Sequence, residues 1–127
     1  MKVLIVDDSG PIRKVMAKML ERMGFEILEA ENGKAALAQL EQHPDIGLLM
    51  LDWNMPEMNG IELIEAVNEK RPADARPKIV MVTTENEMGK IEKAMTKGAN
   101  EYIMKPFTEE ILTEKLAMLG MGGTGHV

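Results

Sequence analysis

Five residues able to do chemistry stand directly behind short apolar runs: Asp7 and Asp8 behind 3–6, Asp52 behind 48–51, Thr83 behind 79–82 and Lys105 behind 102–104. The runs read as buried strands, which places each of these residues at a strand's carboxyl end. In an open parallel sheet the carboxyl ends lie along one edge, and ligands bind in the crevice where the strand order reverses. Three carboxylates in one crevice repel one another unless a cation joins them. An oxygen donor set without His or Cys suits Mg2+ or a similar hard ion. Lys105 adds an ammonium and Thr83 a hydroxyl, a combination that matches an incoming group rich in anionic oxygens, such as a phosphoryl group. Asp52 could then attack a phosphorus donor and hold the group as an acyl phosphate, with metal and lysine neutralising charge on the transferring oxygens. That chemistry needs no general base.

Five βα units must carry these residues. Between the apolar runs, Ile12, Val15, Met16, Met19, Leu20 and Met23 recur at spacings of three and four and predict an amphipathic first helix, with Arg13, Lys14, Lys18 and Arg22 on other faces. Gly24 is placed to cap it. Residues 25–30 alternate polar and apolar side chains, which predicts a partly exposed second strand at a sheet edge. Asn32-Gly33 opens a second helix with Ala36, Leu37 and Leu40 inward, and His43-Pro44 ends it. Asn59 with Glu62, and Thr84 with Glu87, have the spacing of capping boxes or near them, so the third helix should bury Ile61, Ile64 and Val67 and the fourth Met88, Ile91 and Met95. Gly98 closes the fourth. Thr108, with Glu109 and Glu110 favourably placed against the helix dipole, starts a fifth helix that turns Ile111, Leu112, Leu116 and Leu119 inward. The polar stretch 68–77 reads as a surface loop. Right-handed crossovers place helices on both faces, so the expected fold is a flavodoxin-like (βα)5 three-layer α/β sandwich around a parallel five-stranded sheet of order 2-1-3-4-5. The expected domain is 1–120, with a Gly-rich flexible tail at 121–127.

With 127 residues and 45% hydrophobic content, the chain has the size of one domain able to bury a core without staples. A formal charge of −6 argues against nucleic acid or an anionic membrane as the main partner and favours a cation or a protein. The absence of cysteine removes disulfides and thiolate metal sites. The opening apolar run is too short for a signal peptide or a span, so a cytoplasmic location is expected.

Taken together, Val6-Asp7-Asp8-Ser9, Leu51-Asp52-Trp53-Asn54-Met55-Pro56 with Asn59-Gly60, Val82-Thr83-Thr84-Glu85, and Gly98-Ala99 leading to Tyr102 and Lys105-Pro106-Phe107 resemble the receiver domains of two-component response regulators. The stand-alone chemotaxis regulators within that family are the most similar. The resemblance covers roughly residues 2–119 and implies a phosphorylation-controlled signalling switch that is not an enzyme toward external substrates. On it, Asp52 is the phosphoacceptor. Asp8 and Asp52 ligate Mg2+ directly, Asp7 does so through water, and the backbone carbonyl of Asn54 completes the protein's share. Thr83 contacts the arriving phosphoryl group, Lys105 pairs with it, and Tyr102 moves between outward and inward positions with Thr83. Lys105-Pro106 is similar to the family's cis peptide, consistent with cis bonds being nearly confined to X-Pro. Asn54 and Glu85 occupy the positions that help set the rate of dephosphorylation and match those of fast-reversing members. The partners implied are a sensor histidine kinase, a flagellar motor switch protein or other downstream protein, and a phosphatase, with the chain itself a monomer.

Blander readings exist for single residues. Asp7-Asp8 could be a solvated acidic turn, Thr83 a helix cap and Tyr102 a half-buried strand aromatic, and the basic residues of the first helix could be plain surface rather than a kinase-docking face. Most of the 13 methionines, among them Met16, Met19 and Met95, read as core filling. At the level of function, a phosphorelay carrier and the receiver portion of a longer DNA-binding regulator are alternatives. A haloacid-dehalogenase-type phosphohydrolase also uses an aspartyl nucleophile with Mg2+, but it wants a second aspartate where Asn54 stands.

Overall fold

The structure is a computed structural model, and it describes residues 1–52, 60–83 and 88–121. Five strands form one parallel sheet: β1 Lys2–Val6, β2 Glu26–Ala30, β3 Ile46–Asp52, β4 Lys78–Thr83 and β5 Glu101–Met104, in the order β2-β1-β3-β4-β5. Each is followed by a helix: α1 Gly10–Arg22, α2 Gly33–Gln42, α3 Gly60–Lys70, α4 Met88–Lys97 and α5 Glu109–Met118. The expected order and edge assignment hold. The central strands β1, β3 and β4 are almost continuously apolar because helices cover both of their faces, whereas β2 at the edge is only half-buried.

Alternation along the strands divides the core in two. Leu4, Leu49, Leu51, Ile79 and Met81 pack with Leu40, Ile64, Val67 and Ala94 of α2, α3 and α4. Val3, Ile5, Leu48, Met50, Val80 and Val82 pack with Met16, Leu20, Leu112 and Leu116 of α1 and α5. Local chemistry starts and stops the helices. The Ser9 hydroxyl, the Asn32 side-chain oxygen and the Thr108 hydroxyl accept the backbone N–H groups of Ile12, Ala35 and Ile111. After α1 and α4 the chain turns through Gly24 and Gly98 at φ of 93° and 130°, where a side chain would be strained.

Several helix faces differ from expectation. In α1 the buried stripe is Met16, Ala17 and Leu20, while Ile12 and Val15 are exposed, Val15 by 55%. Both line an open apolar groove of about 200 Å³ against Pro106 and Phe107, so the apolar surface of α1 is wider than the part the sheet covers. In α4, Met95 is 38% exposed, with Ile91 and Ala94 inward. In α5, Ile111 is 42% exposed, with Leu112 and Leu116 inward. The stretch 68–77 is not all loop, since α3 runs on through Lys70 and a short 3-10 turn occupies Ala73–Ala75. Met121 is buried in the α1/α5 core and its N–H bonds the Leu116 carbonyl at 2.8 Å, so packing continues one residue beyond 120. The expected tail from 122 lies outside the described residues, as do the capping residues Asn59 and Thr84.

Candidate functional site

The parallel register aligns the site. Val6 stands opposite Leu51 and Asp52 opposite Val82, so Asp7 follows β1 level with Asp52 at the end of β3, and Thr83 ends β4 one residue further on. β5 joins through Thr83 opposite Met104, and the Lys105 N–H bonds the Thr83 carbonyl at 2.6 Å. The edge lies where β1 and β3 diverge to opposite sides of the sheet order, as expected for a ligand crevice.

Asp7 and Asp52 are 1% and 7% exposed, and Asp8 is exposed. One carboxylate oxygen from each of the three lies within 4.8 Å of the others. The Lys105 ammonium sits between two of them, 3.2 Å from Asp52 Oδ1 and 3.3 Å from Asp7 Oδ2. Burial, reinforced by the charge of Asp7 and opposed by Lys105, pushes the Asp52 carboxyl up to about 6. Burial also works against the Lys105 ammonium, but the charges of Asp52 and Asp7 outweigh it and hold the group above the ordinary lysine range. Both shifts express one imbalance: three carboxylates face one ammonium. A hard divalent cation fits this site, because the available donors are carboxylate oxygens and the site is short of positive charge.

Thr83 is buried at 3%. Tyr102, opposite Met81 in the ladder, packs against the α2/α3/α4 core. By alternation Thr83 and Tyr102 share that face of the sheet. The Lys115 ammonium stands 4.6 Å from the Tyr102 ring centre and pairs with Glu101 at 3.4 Å. Lys105-Pro106 is cis. Asn54, Glu85 and Trp53 lie outside the described residues. The structure thus brings together Asp7, Asp8, Asp52, Thr83 and Lys105, with Tyr102 one step removed.

One contributor escapes the sequence reading. Arg13, grouped there with the basic surface of α1, donates Nη1–H to the Asp7 backbone carbonyl at 2.6 Å and Nε–H to Glu29 at 3.0 Å. Lys14 takes the other Glu29 oxygen at 2.8 Å. The available signal was Glu29, an acid on the partly buried side of the strand beside β1.

The chain matches the family described as response regulator receiver domain over residues 3–117. It is 44% identical over 124 residues to a chemotaxis protein CheY homolog of Campylobacter jejuni, covering 96% of this chain and 95% of that one. It is 43% identical over 120 residues to the chemotaxis protein CheY1 of Helicobacter pylori, covering 94% and 96%. Among solved structures, chemotaxis protein CheY4 of Vibrio cholerae superposes with a TM-score of 0.80 at 34% identity, covering 94% and 95%. A chain described as a two-component system response regulator/GGDEF domain protein superposes with a TM-score of 0.87 at 31% identity, and there this chain spans only 48% of the matched length.

Proposed function

The chain belongs to the response regulator receiver domain family, and from that premise we propose that it is a phosphorylation-activated two-component switch serving chemotaxis, with Asp52 as phosphoacceptor. The observation that carries the assignment is the Asp52 carboxylate itself, set among two further carboxylates and held by Lys105 at 3.2 Å. With its carboxyl at about 6, Asp52 is mostly ionised at neutral pH and ready to act as nucleophile.

In the proposed reaction an Asp52 oxygen forms a bond to phosphorus as the bond between phosphorus and the donor's imidazole nitrogen breaks. The electron pair leaves with the imidazole of a sensor kinase's phosphohistidine. Lys105 moves from pairing with carboxylates to pairing with the transferred oxygens, and the Thr83 hydroxyl donates to one of them. Asp8 and Asp52 directly, Asp7 through water and the Asn54 backbone carbonyl would hold Mg2+, which supplies positive charge against the anionic oxygens of the transferring group. Engagement of Thr83 draws on the sheet face it shares with Tyr102, and a shift of that ring alters the surface formed by α4, β5 and α5. A motor switch protein or another downstream protein reads that surface. A phosphatase is a further partner, and the chain acts as a monomer in the cytoplasm. No helix among the described residues is long and apolar enough to cross a membrane.

Asn54 and Glu85, by their positions in the sequence, favour rapid hydrolysis of the acyl phosphate. A decay assay on the purified phosphoform is expected to show a short lifetime, lengthened by replacing either residue. Trp53, the only tryptophan, adjoins the acceptor and is the natural probe. Its fluorescence should respond to Mg2+ and again to a small-molecule phosphodonor in the wild type, with the second response absent in Asp52→Asn. Equal responses of the two proteins to the phosphodonor would defeat the assignment.

A further inference from the structure

Asp8 presents a problem that packing does not solve. It belongs to the carboxylate cluster, yet it is exposed, so the position of its side chain depends on the backbone that carries it. The peptide joining Asp7 to Asp8 is held by a charged donor: Arg13 Nη1–H to the Asp7 carbonyl oxygen at 2.6 Å. Arg13 is itself aimed by Glu29, whose two carboxylate oxygens take Arg13 Nε at 3.0 Å and Lys14 Nζ at 2.8 Å. The other polar groups of Asp7 are fixed as well, its N–H by the Ala30 carbonyl at 3.2 Å and its Oδ1 by the Ser9 N–H at 2.8 Å. The chain running from β2 through Glu29 and Arg13 to the Asp7-Asp8 peptide is therefore continuous, and it is charge-assisted at both arginine contacts.

We propose that Arg13 is a positioning residue for the acidic site: with Glu29 as its anchor, it locks the Asp7-Asp8 peptide so that the Asp8 carboxylate stands with those of Asp7 and Asp52 to receive a divalent cation. This rests on reading the cluster as a cation site. Outer partners of metal ligands act by orienting them, and removing one typically weakens affinity about 10- to 100-fold. The sequence of events at the phosphorus does not involve Arg13.

The test is Mg2+ binding by calorimetry to the metal-free full chain, with no phosphodonor present, alongside urea unfolding of each protein. Arg13→Met should raise the Mg2+ Kd about 10-fold or more, and Glu29→Gln should shift it in the same direction by less. Arg13→Lys, which can reach one acceptor but not both with a fork, should recover part of the loss. Arg22→Gln removes an arginine of the same helix that pairs with Glu109 far from the site, and it should leave the Kd within about twofold. If Arg13→Met does not fold, Glu29→Gln and Arg13→Lys carry the comparison. Wild-type affinity in Arg13→Met, or in both of those variants, overturns the role of Arg13 while leaving the cation site standing. A wild type that binds no Mg2+ overturns the cation site and this role together.

Discussion

At the scale of residues, the carboxylate cluster carries a cost in stability. Asp52 is buried beside Asp7, and its carboxyl is raised to about 6, so folding makes it harder to ionise than in the unfolded chain. A carboxyl raised in the folded state contributes stability that is full below its unfolded value of 3.8 and is lost as pH rises through about 6. Asp52→Asn should therefore unfold at higher urea than the metal-free wild type at pH 7.5, by on the order of 1 kcal/mol, because the lost Lys105 pairing offsets part of the relief. The gap should close as pH falls toward 5, and a gap independent of pH would contradict it. Glu29 has the opposite sign. Lys14, against burial and with help from Arg13, lowers its carboxyl, and that contribution is lost as pH falls through its lowered value. Lys105→Met leaves buried Asp7 and Asp52 facing each other without a counter-charge and should destabilise the metal-free protein by about 2 kcal/mol in urea unfolding. The residues of the site were legible because each follows an apolar run. Arg13 was not, because a charge on a helix surface looks the same in sequence whether it meets water or a backbone carbonyl.

At the scale of elements, the strands were the most legible part and the helix faces the least. A strand covered on both sides must be apolar at every position, and few other patterns look like 48–51 or 79–82. A helix stripe is defined only by where its neighbours end. Ile12 and Val15 of α1 continue the apolar pattern past the sheet and onto the groove beside Pro106 and Phe107. That groove also borders Lys105. The faces of α5 allow a direct comparison. Leu112→Ala, at a fully buried position, should cost about 2–5 kcal/mol in urea unfolding, whereas Ile111→Ala should cost less than about 1 kcal/mol. Equal losses would mean that the face of α5 is assigned wrongly. Thr108→Ala removes the cap on the Ile111 N–H and should cost about 1 kcal/mol.

At the scale of the whole molecule, five short βα units serve to bring residues distant in sequence, from Asp7 to Lys105, to one sheet edge. The strand order β2-β1-β3-β4-β5 does this by putting β1 and β3 side by side, while the Asn32 cap starts α2 and the Gly24 and Gly98 turns lead the chain from α1 and α4 back into β2 and β5. The βα rhythm made the parallel sheet readable, and the order expected for it, taken from the flavodoxin-like pattern, is the one observed. What the rhythm did not carry was the cross-element wiring, such as Arg13 to Glu29 or Lys115 over Tyr102, because such contacts depend on how elements pack rather than on any pattern within one. The most direct test of the central claim is the mass of the intact protein, with peptide mapping, after exposure to Mg2+ and a small-molecule phosphodonor. One phosphoryl group should appear on Asp52 in the wild type and be absent from Asp52→Asn; a wild type that stays unmodified, or a group mapped to another residue, would contradict the account.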